Sequence, residues 1–334
     1  MSTRFWIGTY AAKGGLGLYP LTLRPGGELD LGLPTTAIRN ASFALSHPDM
    51  PIAWFVNEQE DGRVVSAALK GGAWEVLGDV PSGGSLPCFL ARHPTRDLLA
   101  VANYADGAVT LLPLDATSGI ARAPCDRVLQ SGRGPDLERQ AGPHAHCVAF
   151  SADGNFLYHV DLGLDRVWRY AVTGQRLGPA EVVFEAPAGW GARHLALLPD
   201  GVHAVLICEM AATCMLLRLD GKRFACLDSI PTAPTEKANI GGDLRLIALD
   251  RLLVTNRGHD SVALVRIEDG RLQREAERDS AGSSPRHVLP VGQQTLIAHE
   301  EAGGVVLLPL PGAKGTWVRS VSIPGAAFIL EPQE

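Results

Sequence analysis

The chain has 334 residues, a formal net charge of −6, 46% apolar residues, 37 glycines and 23 prolines. Its acidity, with no basic cluster, argues against nucleic-acid binding. No apolar run approaches the roughly 20 residues of a membrane span, and Met1–Tyr10 lacks the charged-then-apolar layout of a signal peptide, so a soluble cytoplasmic protein that meets no membrane is expected.

Taken in order, Arg4-Phe5-Trp6-Ile7-Gly8-Thr9-Tyr10 reads as a strand, and two more follow, broken at Lys13-Gly14-Gly15 and Pro25-Gly26-Gly27. Residues 41–86 contain the strand Trp54-Phe55-Val56-Asn57-Glu58, and residues 87–142 contain Leu98-Leu99-Ala100-Val101-Ala102-Asn103-Tyr104. After these comes a polar insertion, Gln130 to Ala141, rich in Gly and Arg. Loops of this length are either functional lids or simply mobile. This one leads directly into Gly142-Pro143-His144-Ala145-His146, so a position over the mouth of the molecule is expected.

The stretch from Gly142 to Asp161 reads as strand, turn, strand, because Asp153-Gly154 separates two apolar runs. Earlier copies are Ala41–Asp49 and Pro87–Thr95, a later one is Ala192–Gly201, and worn ones start at Gly242 and Ser284. A second irregular stretch, 231–242, precedes the strand at Asp243. The second strand of each copy ends at Asn57, Asn103, Asp161, Cys208, Asn256 and His299, so the spacing is 43–48 residues with one step of 58 that carries the insertion. Ala326–Leu330 lacks a second strand, and Arg4–Tyr10 lacks a first.

Units of about 40–50 residues with four short strands are the signature of propeller blades. The expected fold is all-β: a seven-bladed β-propeller, one domain over residues 1–334, with four antiparallel strands per blade. The last blade is closed by the N- and C-terminal strands, which removes an open sheet edge. Helix content should be low. The six cysteines (Cys88, Cys125, Cys147, Cys208, Cys214 and Cys226) form no C-x-x-C pair, so reduced, mostly buried thiols are expected, with no disulfide and no zinc site.

Repetition locates a site, since equivalent positions of different blades face the same place. The first positions of the inner strands are Ser42, Cys88, His146, Arg193, Asp243 and Arg286. The residues after the second-strand markers are Glu58, Tyr104, Leu162, Glu209, Arg257 and Glu300. His146, Arg193, Glu209, Asp243 and Arg257 therefore ring one end of a central channel. A base, two cations and two carboxylates suit acid–base chemistry on an anionic substrate. Glu209 and Arg257 also read as a structural salt bridge. His47 and His93, each before a proline, read as turn residues, and Asp260 as the cap of the turn at Gly258-His259. His194 and His287 follow the arginines and should point the other way, into blade packing.

At these residues the chain resembles the seven-bladed propeller lactonases, a family that includes one type of bacterial 6-phosphogluconolactonase and a fungal carboxy-muconate cyclase. The matching stretches are Gly8-Thr9-Tyr10, His47-Pro48, Val101–Tyr104, Gly142–His146, Ala192-Arg193-His194, Asn256–Ser261 and Pro285-Arg286-His287. The resemblance implies His146 as the channel histidine, Arg193, Glu209 and Arg257. Cys208, Ala192 and Gly241-Gly242 depart from the family pattern, which has Asn, Pro and Ala-Ala there. The expected activity is cofactor-free and metal-independent hydrolysis of a sugar-acid lactone, a small molecule. His146 or Glu209 would act as base, with Arg257 catalytic, and Arg193, His144, Asp243 and Arg286 would bind substrate. A muconate-type cycloisomerase and a non-catalytic binding propeller are the alternatives. A monomer or weak homodimer is expected.

Overall fold

The Asp153-Gly154 turn forms as its dipeptide requires: Gly154 adopts φ +71°, and strands Ala145–Phe150 and Phe156–Asp161 pair antiparallel across it. Arg166–Thr173 and Glu181–Glu185 complete that sheet, and a short extra strand, Arg176–Leu177, pairs with the third strand. The computed structural model describes residues 2–234, 237–301 and 304–331, so Thr235 and Glu236 of the second irregular stretch lie outside the described residues. Seven antiparallel sheets are present among the described residues; six follow chain order, and the seventh places the C-terminal strand beside the N-terminal one.

The inner strands of blades 1 to 6 are Ala44–Ser46, Pro87–Arg92, Ala145–Phe150, Ala192–Leu197, Ile240–Ala248 and Pro285–Val291. Blade 7 takes its inner strand from the C-terminal side, Ala326–Leu330, which pairs antiparallel with Thr3–Thr9 in the register Trp6 to Leu330 and Ile7 to Ile329. Among the described residues the only helical segment is the 3-10 turn Ala11–Lys13, and no helix is long and apolar enough to cross a membrane.

Each apolar cluster lies between two neighbouring blades. Trp6 and Phe328 of blade 7 meet Phe55 and Trp74 of blade 1, with the Trp6 and Trp74 rings 5.8 Å apart and edge-on. Stability is thus a sum of nearest-neighbour interfaces closed into a ring. Gly8 sits in one of these seams: a Cβ there would come within 1.8 Å of the Ala41 carbonyl oxygen. All six cysteines are free thiols; four are buried, Cys125 is half-buried, and Cys226 is exposed because its strand forms an outer edge of blade 4.

One irregularity recurs near the start of the inner strands. The register shifts between Pro87 and Phe89, Ala145 and Cys147, Ala192 and His194, Gly241 and Leu244, and Pro285 and His287. These are β-bulges, which re-aim side chains and commonly flank active sites. The residues in them are Cys88, His146, Arg193, Gly242 with Asp243, and Arg286.

Candidate active site

A cavity of about 320 Å³ opens at one end of the hub. Tyr10, Glu58, Tyr104, Glu209, Arg257 and Glu300 line it from the ends of second strands, one per blade, with only Leu162 of that set left out. Cys88, His146, Arg193 and Arg286 line it from the bulges, and the Ala11–Lys13 turn adds Ala12 and Lys13. Arg139 comes from the insertion after blade 2. Five cations face three carboxylates in this wall.

Glu209, 2% exposed, is the focus. Its Oε2 accepts from Arg193 Nη1 and forms an ion pair with Arg257 Nη2 at 2.7 Å. Its Oε1 accepts from Arg139 Nη2 at 2.5 Å. Burial alone would raise the carboxyl pKa, but the Arg193 and Arg257 guanidiniums hold it well below the usual glutamate range. Those two arginines are fixed from behind by peptide oxygens: Arg193 Nε donates to Gly242 O at 2.8 Å, and Arg257 Nη2 to Gly241 O at 2.8 Å. Gly242 leaves no room for a side chain, because a Cβ there would lie 2.2 Å from Thr255 Oγ1 and 2.9 Å from Pro285 O. His146 Nε2 stands 2.5 Å from Arg193 Nη1. A guanidinium can only donate, so Nε2 accepts and the neutral ring carries its proton on Nδ1. Burial, then Arg193, pushes the His146 pKa well below the usual histidine value.

The opposite wall has a different character. Arg286 Nη1 donates to Glu300 Oε2 at 2.8 Å, and its guanidinium lies 5.1 Å from the centre of the Tyr10 ring. Tyr10 donates its hydroxyl to Glu58 Oε2 at 2.8 Å. Lys13 at the rim pairs with Glu301.

Of the residues expected at the mouth, His146, Glu209, Arg257, Arg193 and Arg286 come together there. Asp243 does not. It lines a smaller pocket of about 20 Å³ beneath the cavity. Its Oδ1 accepts from its neighbour's amide, Leu244 N at 2.9 Å, and its Oδ2 from Val288 N at 3.1 Å, so its carboxylate joins blades 5 and 6. His144 is also outside the cavity lining; it stacks on Tyr104 with ring centres 4.5 Å apart and holds that residue's carbonyl at 2.8 Å. His194 and His287 do not turn into blade packing as strand alternation implied. The bulges break the period of two, and both rings face Asp243, at 3.5 Å and 3.7 Å.

His47 and His93 do cap turns, each Nδ1 accepting two backbone amides, and Asp260 caps the Gly258 turn at 3.3 Å. Arg139 was missed because the insertion has no counterpart in other blades; its Gly- and Arg-rich composition next to His144 and His146 was the available signal. Among the described residues no three His, Cys, Asp or Glu side chains group as metal ligands.

The sequence profile described as "Lactonase, 7-bladed beta-propeller" matches residues 4–322. The chain belongs to the seven-bladed β-propeller lactonase family. It is 26% identical over 318 residues to the 6-phosphogluconolactonase of Bacillus subtilis (strain 168), covering 90% of this chain and 89% of that protein. Among solved structures, the periplasmic gluconolactonase of Pseudomonas aeruginosa superposes with a TM-score of 0.89 at 25% identity over 99% of each chain. A Lactobacillus plantarum protein does so with a TM-score of 0.88 at 26% identity, covering 98% of this chain and 99% of the other. As a lactonase, the chain is an enzyme that hydrolyses small-molecule lactones.

Proposed function

We propose that this lactonase opens an anionic sugar-acid lactone of the 6-phosphogluconolactone type, with Glu209 as general base and no metal ion. The observation that carries the assignment is the hydrogen-bond arithmetic at Glu209 and His146. A neutral imidazole has one acceptor lone pair, and that of His146 is engaged by Arg193. A carboxylate offers about four acceptor sites; Arg139 donates to Oε1, Arg193 donates to Oε2, and the Arg257 ion pair lies against Oε2, which leaves a site on Oε1. The depressed pKa makes Glu209 a weak base, but one that is ionised throughout the neutral range. His146 positions Arg193.

In the proposed reaction a water held at Oε1 attacks the lactone carbonyl carbon and gives its proton to Glu209. Arg193 Nη2 and Arg257 Nη1, which hydrogen-bond to no group among the described residues, donate to the developing oxyanion. The bond from that carbon to the ring oxygen then breaks, and the proton on Glu209 passes to the departing oxygen, which becomes a hydroxyl. The product is the open sugar acid, which releases its remaining proton to solvent and leaves as the carboxylate.

Glu58, Glu300 and Tyr10 on the far wall suit the hydroxyls of a polyol, since ionised carboxylates only accept. The same two carboxylates repel a second carboxylate on the substrate, which weighs against muconate cyclisation. The reading includes a cytoplasmic location, supported by six free thiols. The test is turnover of 6-phosphogluconolactone, gluconolactone and a carboxymuconate, each corrected for its spontaneous rate and repeated with EDTA. Opening of a sugar lactone that EDTA leaves unchanged supports the reading; turnover of the muconate alone overturns it.

A further inference from the structure

Three guanidiniums converge on Glu209, but they are not held alike. Arg193 and Arg257 sit on blade strands, are tied to backbone carbonyls, and are 3% and 7% exposed. The Arg139 side chain is 39% exposed, comes from a loop, and donates to Glu209, with Tyr104 as its other polar neighbour.

The backbone beneath Arg139 is fixed. Asp136 Oδ1 accepts from the amides of Glu138 and Arg139 at 2.9 and 3.0 Å. Gln140 N donates to Asp136 O at 2.7 Å, and Gly134 N to Gln140 O at 2.9 Å. The fully buried Gln140 side chain donates to Leu162 O at 2.8 Å. The loop is a closed clasp that presents one long side chain to the cavity, so any motion belongs to the side chain. Exposed side chains change rotamer in picoseconds to nanoseconds.

We propose that Arg139 is the specificity residue of this lactonase: it reads a phosphate group on the lactone and, by transferring to that group, uncovers Glu209 Oε1. This rests on the assignment of Glu209 as base. A phosphate monoester carries a charge of about −1.5 to −2 at neutral pH and three acceptor oxygens. It accepts the fork of an arginine bidentately, whereas Glu209 Oε1 takes a single contact from Arg139. Transfer leaves both acceptor sites of Oε1 open to water and removes one of the three charges that hold the carboxylate a weak base. An unphosphorylated lactone offers nothing to draw Arg139 away, so it meets the enzyme with Oε1 half covered. Arg193 and Arg257, fixed to Gly242 and Gly241, remain to serve the oxyanion.

The experiment compares kcat/KM for 6-phosphogluconolactone and gluconolactone in the native protein, Arg139→Gln and Arg139→Lys, with the inhibition constant of inorganic phosphate measured in each. Charge-assisted hydrogen bonds predict that the preference for the phosphorylated lactone falls about 10- to 100-fold in Arg139→Gln, with weaker phosphate inhibition and an intermediate value in Arg139→Lys. Equal losses on both lactones, or an unchanged preference, overturn the proposal. If Arg139→Gln does not fold, an unchanged preference in Arg139→Lys overturns it. Failure of the base assignment is separable: Glu209→Gln at near-native rate removes that assignment while a collapsed preference in Arg139→Gln still stands.

Discussion

Replacing Glu209 by Gln tests the centre of the site. The substitution keeps the shape and one acceptor oxygen but deletes the negative charge on which Arg139, Arg193 and Arg257 converge. Loss of a general base predicts a fall in kcat of about 10²–10⁴-fold. Breaking a buried ion pair costs about 3–5 kcal/mol. Here the amide oxygen retains part of the hydrogen bonding and Arg139 is partly solvated, so about 3 kcal/mol is expected. At about 2.1 cal/mol/K of unfolding entropy per residue, a chain of 334 residues then loses about 4 °C in Tm. The assays are steady-state turnover of 6-phosphogluconolactone at 25 °C and thermal unfolding followed by far-UV circular dichroism. A kcat within tenfold of the native value, in a protein that has lost a few degrees, would refute Glu209 as base and return the role to His146, for which His146→Gln is the matching control.

Buried neutral histidines make the fold acid-sensitive. Burial pushes His159 down to about 3 and His299 to about 4. The unfolded chain therefore binds protons below about 6.5 that the folded chain refuses, and each histidine removes about 1.4 kcal/mol per pH unit. Asp161, pushed up by burial to about 6, works oppositely between about 6 and its unfolded value of about 3.9. The net loss from these three groups is about 3 kcal/mol at pH 5, read as a falling denaturation midpoint from pH 7 to pH 5; a flat profile contradicts the assignment. Glu58→Gln with Glu300→Gln should raise KM for a sugar lactone about tenfold through lost charge-assisted hydrogen bonds while leaving kcat less affected; an unchanged KM removes the polyol role of that wall. Gly242→Ala should lower kcat/KM at least tenfold and reduce Tm, because its Cβ meets Thr255 and displaces the carbonyl that fixes Arg193; native kinetics would show that Arg193 needs no such support.

Most of the architecture was readable because a repeat leaves the same mark many times. The turn at Asp153-Gly154, the second-strand ends at Asn57 and Asp161, and the split last blade all follow from it. The rule that the residue after each second strand faces the hub holds for Glu58, Tyr104, Glu209, Arg257 and Glu300. What failed has one main cause. A bulge adds a residue without leaving a composition signal, so His194 and His287 face the hub against the simple alternation, and Asp243 drops to the layer below. Arg139 was illegible for the opposite reason: a residue in an insertion has no sister position from which its direction can be inferred. The histidines at 47 and 93 were legible because a His before a proline at a hairpin has few other uses.

The pairing of Thr3–Thr9 with Ala326–Leu330 has a biosynthetic consequence. Blades 1 to 6 can stack as they leave the ribosome, but the opening segment of the chain must wait for a partner that is translated near the end. Until then Phe5, Trp6 and Ile7 are without the strand that later covers them, and the circle that assembles the reactive pocket is unfinished. A stop codon just ahead of Ala326 would thus leave every pocket residue encoded and yet produce an open arc, whereas a cut and rejoining at an exposed outer turn such as Gly221 should be tolerated.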